Sequence, residues 1–174
     1  MTTWLDDLRT HDPCAEGYAW AKEHNIASLS EAFAKLDRGD WWLWLASSYD
    51  VDLDKPRLVT FAADCAERDL PIFEARYPED LRPRKAIEAA RAWIACPTPE
   101  TSDAASAAYA ASDAAASYAA YAASDAAHAA AHAAAYAADA DAAYASYASY
   151  AAASADERRW QADRLRELFP EVMA

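Results

Sequence analysis

Glycine is nearly absent from this chain. The 174 residues include two glycines, against eight prolines. Tight β-hairpin turns favour glycine where the backbone needs positive φ, so the chain has few candidates for such turns. It also has no segment in which apolar and polar residues alternate convincingly. These absences predict an all-α protein, folded as a compact multi-helix bundle, and the length suits a single domain over residues 1–174.

Positive charge is scarce as well. Lysine and arginine total 16 against 29 acidic residues, which gives a formal net charge of -13 and a pI near 4.6. Proteins that bind the phosphate backbone of nucleic acids carry the opposite balance. The composition therefore argues against a nucleic-acid partner and favours a basic protein partner.

Cysteine chemistry and targeting signals are not evident. The three cysteines, Cys14, Cys65 and Cys96, form no C-x-x-C pair, which argues against a disulfide framework or a zinc site and favours a reducing cytoplasm. The first residues lack the basic and apolar regions of a secretory signal. Aspartates interrupt the alanine-rich segment and argue against a membrane span; these are Asp103, Asp113, Asp125, Asp139 and Asp141.

Residues 1–96 predict a series of short helices. Acidic and hydroxyl side chains precede most apolar segments, as expected for helix N-caps. Pro71 is expected to kink or end the helix that contains it. The candidate helix starts are Asp12 with Pro13 at the first helical position, Ser28 with Glu31 in a capping box, Asp40, Asp54 and Asp80.

The second half is dominated by alanine. A proline-rich linker is predicted over 97–101, and residues 102–155 contain only Ala, Ser, Asp, Tyr and His. Alanine is the best helix former. One helix of this length would extend roughly 80 Å at about 1.5 Å per residue, so we expect a tightly packed helical hairpin. Its break is expected near Tyr121 to Asp125, with Ser112 and Ser124 as candidate internal N-caps. A C-terminal amphipathic helix is expected over 156–170.

A row of polar side chains follows one face of the predicted hairpin. Asp125, His128, His132 and Asp139 are spaced by three, four and seven residues, with Tyr136 among them. Such a row could hold zinc or nickel, or form an acid–base pair. No H-E-x-x-H pattern or evident third ligand accompanies it. We therefore favour a hydrogen-bonded seam between helices, with no metal and no cofactor.

Three arginines lie on one predicted helix. Arg84 and Glu88 are four residues apart, and Glu88 and Arg91 are three apart, which favours a surface ladder of ion pairs. The alternative is that Arg82 and Arg84 grip a carboxylate or phosphate, because the planar guanidinium group suits both.

A cluster of three tryptophans follows Asp40. Trp41, Trp42 and Trp44 cannot share one helical face, because consecutive positions diverge by about 100°. One or two rings are expected in the core, and the other is expected to be exposed or to line a groove. Exposed aromatic rings often anchor protein partners. Cys65 is expected to be a small buried apolar residue rather than a nucleophile. Without a serine triad or a glycine-rich phosphate loop, the sequence predicts no enzyme.

Three segments together form a recognisable pattern: Arg38 to Leu45, Ala63 to Pro71, and Asp80 to Trp93. The motif R-P-R-x-A-I-E-A-A-R-x-W in the third segment is the most specific part. Across roughly residues 36 to 155, the chain resembles the "immunity protein five-like" group of bacterial immunity proteins, and similar chains also occur in phage genomes. The resemblance implies an all-helical cytoplasmic protein that neutralises a toxin by binding it.

Two hypotheses for function follow. The first is a non-enzymatic inhibitor of immunity type that binds a basic toxin or effector. The second is a phage-encoded counter-defence protein that sequesters a small ligand, such as a signalling nucleotide, between arginine, tryptophan and tyrosine side chains. Association of alanine faces between chains would make either protein a homo-oligomer. The binding candidates are Arg82, Arg84, Arg91, Trp41, Trp42, Trp44, His128, His132 and Tyr136.

Overall fold

The protein is an all-α bundle. A computed structural model describes residues 3–116 and 155–174, and within these ranges there are eight α-helices and no strands. The polar row with His128, His132 and Tyr136 and the predicted turn of the hairpin lie outside the described residues. The helices are α1 Trp4–Thr10, α2 Ala15–Glu23, α3 Leu29–Lys35, α4 Gly39–Ser48, α5 Lys55–Arg76, α6 Arg82–Ala95, α7 Pro99–Ala116 and α8 Ala155–Leu168, followed by a 3-10 helix at Pro170–Met173.

The helix starts are partly those that the sequence predicts. Ser28 Oγ accepts a hydrogen bond from the Glu31 N–H at 3.2 Å, and Asp54 accepts one from the Arg57 N–H at 3.1 Å. The Glu31 carboxylate, however, accepts from the Ala27 N–H at 2.8 Å, which shifts the expected capping box by one residue.

Three predicted caps are wrong. Asp80 precedes Leu81, which is the N-cap residue of α6. The chain turns at Asp12, where φ is 54°, and α2 begins later, with the Cys14 thiol as its cap. Asp40 lies inside the first turn of α4, and Arg38 is the N-cap residue. The Asp40 carboxylate binds the Arg38 guanidinium instead of a helical N–H, because that charged partner lies only two residues away.

Helix α5 continues through Pro71 and ends at Arg76, so the expected end at the proline is wrong. A proline inside a helix removes one N–H donor and crowds the preceding turn. Leu70 and Phe73, on either side of it, are buried in the core. We attribute the continuation of the helix to this packing.

The described start of the alanine-rich segment lies in a close helix contact. Helices α6 and α7 make the most extensive contact between described helices. Ala86 and Ala90 of α6 and Ala105 of α7 are fully buried. Methyl-sized side chains permit this approach. The linker is shorter than expected, because α7 begins at Pro99, and α7 continues through Ser112, so that serine does not cap a new helix.

Both ends of the chain contribute side chains to one hydrophobic core. Helix α8 packs on α4 and α5, and it buries Leu165, with Phe169 buried just beyond its end. The predicted amphipathic helix over 156–170 is therefore confirmed, with its end at Leu168. Within the described ranges, every helix is too short or too polar to cross a lipid bilayer.

Candidate partner-binding site

A cavity of about 210 Å³ lies among α1, α2, α3 and α4. Its wall is mainly apolar, and four indole rings line it. Exposed Cys14 is part of the wall, so the cavity reaches solvent on that side. We call it the tryptophan cavity. Its lining residues are Trp4, Leu8, Pro13, Cys14, Gly17, Trp20, Ala21, Ala32, Leu36, Asp40, Trp41, Trp44 and Leu45.

Helix α4 divides its three tryptophans between the core and this cavity. Trp42 is fully buried, with its ring centroid 4.7 Å from that of Phe33 and 5.9 Å from that of Phe169. Trp41 and Trp44, three residues apart on the same helix, are half-buried and line the cavity. One of the three predicted binding residues therefore packs in the core, and two lie at a surface that a partner can reach.

The wall residue Asp40 belongs to an ion pair with Arg38. Arg38 donates two hydrogen bonds to Asp40, at 3.1 and 2.6 Å, and a third to Glu16 at 3.3 Å. Its guanidinium carbon lies 4.1 Å from the centroid of the Trp41 ring. The hydrogen bonds from Arg38 to Asp40 raise the pKa of the Arg38 guanidinium above its usual value. Arg38 therefore remains charged and neutralises the one carboxylate in the cavity wall.

The arginines of α6 bind carboxylates of the same chain. Arg82 donates to Asp80 at 2.8 and 2.6 Å, and Arg84 donates to Glu74 of α5 at 2.7 Å through two nitrogens. The predicted partner of Arg84, Glu88, is thus replaced by a residue on the neighbouring helix. The expected pairing along α6 is wrong, because α6 packs against α5 and brings Glu74 to Arg84 and Glu67 to Arg91.

Asp64 joins three helices, and sequence reasoning missed this role. Its carboxylate accepts from Arg91 of α6 at 2.5 Å and from Arg164 of α8 at 2.7 Å. Arg91 also donates to Glu67 at 3.1 and 2.8 Å. Asp64 and Arg164 are 100 residues apart, so no local spacing could have identified the pair. Cys65 beside it is buried, as predicted.

The structure does not bring the predicted binding residues into one site. Arg82, Arg84 and Arg91 are absent from the wall of the tryptophan cavity. His128, His132 and Tyr136 lie outside the described residues, so their roles stay predictions. Within residues 3–116 and 155–174, no three histidine, cysteine or acidic side chains are grouped so that they could hold a metal ion.

Comparison with protein families defines the class of this all-helical chain. The family described as "Imm-5 like putative immunity protein" matches residues 51–168. The chain therefore belongs to that family, and the resemblance noted from the sequence is confirmed. The match supports an immunity-type role and binding to a partner protein. It begins after the segment Arg38 to Leu45, which the sequence resemblance had included. No curated protein and no solved structure matches the chain.

Proposed function

We propose that this protein is a non-enzymatic inhibitor of immunity type that neutralises a basic toxin or effector by binding it directly. Family membership supports the immunity-type role. The observation that supports a basic partner is the charge of the chain, whose cations are largely paired internally while many carboxylates remain exposed.

Eight of the arginines are engaged in ion pairs within the chain. With the Lys35–Glu31 pair, nine of the 16 cations are engaged within the chain, and acidic residues exceed basic ones so that the formal net charge is -13. Other exposed carboxylates stand outside these pairs and contribute to an acidic surface. They include Asp12, Glu23, Asp37, Asp50, Asp52, Glu79, Glu88 and Asp103.

An acidic surface of this kind attracts a basic partner during diffusion and disfavours partners of like charge. A toxin that acts on nucleic acid presents cations where phosphates would bind. Carboxylates of an inhibitor can occupy those positions without any chemical reaction. The proposed mechanism is therefore occlusion, with one inhibitor consumed for each toxin molecule.

The test uses the protein encoded by the gene next to this one as the candidate toxin. Co-expression is expected to restore growth of cells that produce it, and the purified proteins are expected to form a complex. The complex should weaken as salt rises from about 0.05 to 0.5 M, because screening shortens the range of exposed charges.

Titration of toxin activity separates inhibition from catalysis. A binding inhibitor reaches full neutralisation at a fixed stoichiometric ratio, whereas an enzyme would inactivate the toxin at a small fraction of that ratio. Neutralisation at substoichiometric amounts, or an affinity independent of salt, would contradict the proposal.

The small-ligand hypothesis has less support. It needs Arg82 and Arg84 beside aromatic rings, yet both guanidinium groups hold carboxylates and neither lies in the tryptophan cavity. Binding a nucleotide phosphate there would require these ion pairs to break. Thermal stabilisation of the isolated protein by a signalling nucleotide would favour this second function.

A further inference from the structure

The tryptophan cavity lies in the part of the chain that the family match does not cover. Its lining residues fall between Trp4 and Leu45, and the match begins at residue 51. The charged network around Asp64, by contrast, lies within the match. Helices α1–α4 therefore present a concave surface whose ligand the family description leaves open.

The chemistry of the wall favours a neutral ring. Four indole rings and apolar side chains supply most of the surface, and the Trp20 and Trp41 rings meet edge to face with centroids 6.3 Å apart. Aromatic groups pack well in such arrangements. Asp40 is the one charged residue in the wall, and Arg38 already binds it through two hydrogen bonds. A second cation would gain little there.

The volume suits a side chain rather than a larger ligand. A cavity of roughly 150 Å³ lined by apolar residues can hold benzene, whereas pockets for drug-sized ligands start near 300 Å³. At about 210 Å³, the tryptophan cavity has room for one phenyl or indole group.

The charge next to the cavity favours basic residues on either side of that ring. Asp40 of the wall and Glu16 share the single positive charge of Arg38, so this group of three side chains keeps a net negative charge. The Glu16 side chain is 76% exposed, so a cation of the partner can reach it. A segment that carries lysine or arginine beside an aromatic residue matches both the wall and its surroundings.

We propose that the tryptophan cavity binds an aromatic side chain borne on a basic segment of the partner protein. This inference deepens the proposed function and rests on it. The ring acts as a buried anchor, and the basic flanks supply the attraction that the acidic surface requires.

The first experiment probes the cavity alone. The full-length protein, with its indole nitrogens labelled with ¹⁵N, is titrated with the peptide Lys-Lys-Phe-Lys-Lys and followed by NMR. We expect shifts of the indole signals of Trp4, Trp20, Trp41 and Trp44, saturating at millimolar peptide. A Lys-Lys-Ala-Lys-Lys peptide and a Glu-Glu-Phe-Glu-Glu peptide should each bind at least tenfold more weakly.

A matched pair of variants tests the position of the site. Trp41 and Trp160 are both half-buried, and an arginine lies over each ring, at 4.1 and 4.2 Å respectively. Trp41 lines the cavity and Trp160 does not. We expect Trp41→Ala to abolish the shifts caused by the phenylalanine peptide and to weaken toxin binding at least tenfold. Trp160→Ala should leave both unchanged. Circular dichroism confirms that each variant remains folded.

The outcomes separate the two proposals. Equal shifts from the phenylalanine and alanine peptides would overturn the cavity assignment. So would a Trp41→Ala variant that binds the toxin normally, although neutralisation by binding would then stand. Binding of free N-acetylphenylalanine amide as tightly as the basic peptide would overturn the role of the basic flanks. Failure of the wild-type protein to bind the toxin contradicts the proposed function, while the peptide titration still tests the cavity.

Discussion

The two glycines of the chain should respond oppositely to replacement by alanine. Gly39, the first residue of α4, lies against α8: a Cβ placed there would be 2.5 Å from the Cβ of Gln161 and 3.4 Å from the backbone nitrogen of Ala162. At Gly17, the nearest atoms would be the exposed Cys14 sulfur at 3.3 Å and the Trp41 ring at 3.8 Å. The structure therefore makes Gly39 a point of close helix approach, whereas at Gly17 only the exposed Cys14 side chain would have to shift slightly.

The magnitude follows from the overlap at Gly39. Carbon atoms pack best about 3.5–4.0 Å apart, so the contact is too short by roughly 1 Å. A Cβ cannot move without its helix, and overpacking of a core typically costs about 1–3 kcal/mol. The helix preference of alanine over glycine offsets at most about 1 kcal/mol. We expect Gly39→Ala to lower the free energy of unfolding by roughly 1–2 kcal/mol, and Gly17→Ala to change it by between zero and about +1 kcal/mol.

Urea denaturation followed by circular dichroism measures both changes. For a chain of this length, 1 kcal/mol corresponds to about 2–4 °C in Tm. A second substitution checks the cause: in a Gln161→Gly background, Gly39→Ala should lose most of its effect, because the opposing Cβ is gone. A Gly39→Ala protein as stable as the wild type would refute the close approach of α4 and α8.

Four further substitutions test the charge network, the acid response and the core. Asp64→Asn is expected to lower the free energy of unfolding, measured in urea, by about 1–3 kcal/mol, because the Asp64 side chain is 16% exposed and binds two arginines. As a control, Glu167→Gln changes a 66% exposed member of the same network and should lower it by less than about 0.5 kcal/mol. Hydrogen bonds from Arg82 hold the pKa of Asp80 below its ordinary 3.8. Its contribution is therefore present above pH 3.8 and lost as the pH falls through the lowered value, so the stability gap between wild type and Asp80→Asn should close in acid denaturation series. Trp42→Ala should cost about 3–5 kcal/mol by calorimetry, because the ring is fully buried.

Local signals in the sequence predicted local structure well. Ser28 and Asp54 cap helices because a side-chain oxygen and an N–H three residues later meet within one turn. The same reasoning failed at Asp40, where an arginine two residues away competes for the carboxylate. The helix does not end at Pro71, because the residues around the proline are held by the core, which local propensity does not describe.

The candidate site was predicted in part. Helical spacing alone separates Trp41 from Trp42, since the angle between consecutive residues is a property of any α-helix. It does not say which ring faces the core, because that depends on where Phe33 and Phe169 lie in the fold. Nor could spacing show that Trp4 and Trp20 would complete a cavity with Trp41.

The sequence by itself determined the helical class, the acidic surface and the family, since composition, periodicity and a specific motif are all properties of neighbouring residues. Only the tertiary structure decided the partners of the arginines and the walls of the cavity. Asp64 meets Arg164 across 100 residues of chain. Such a contact depends on how complete helices pack, and packing sums many weak interactions that no short segment contains.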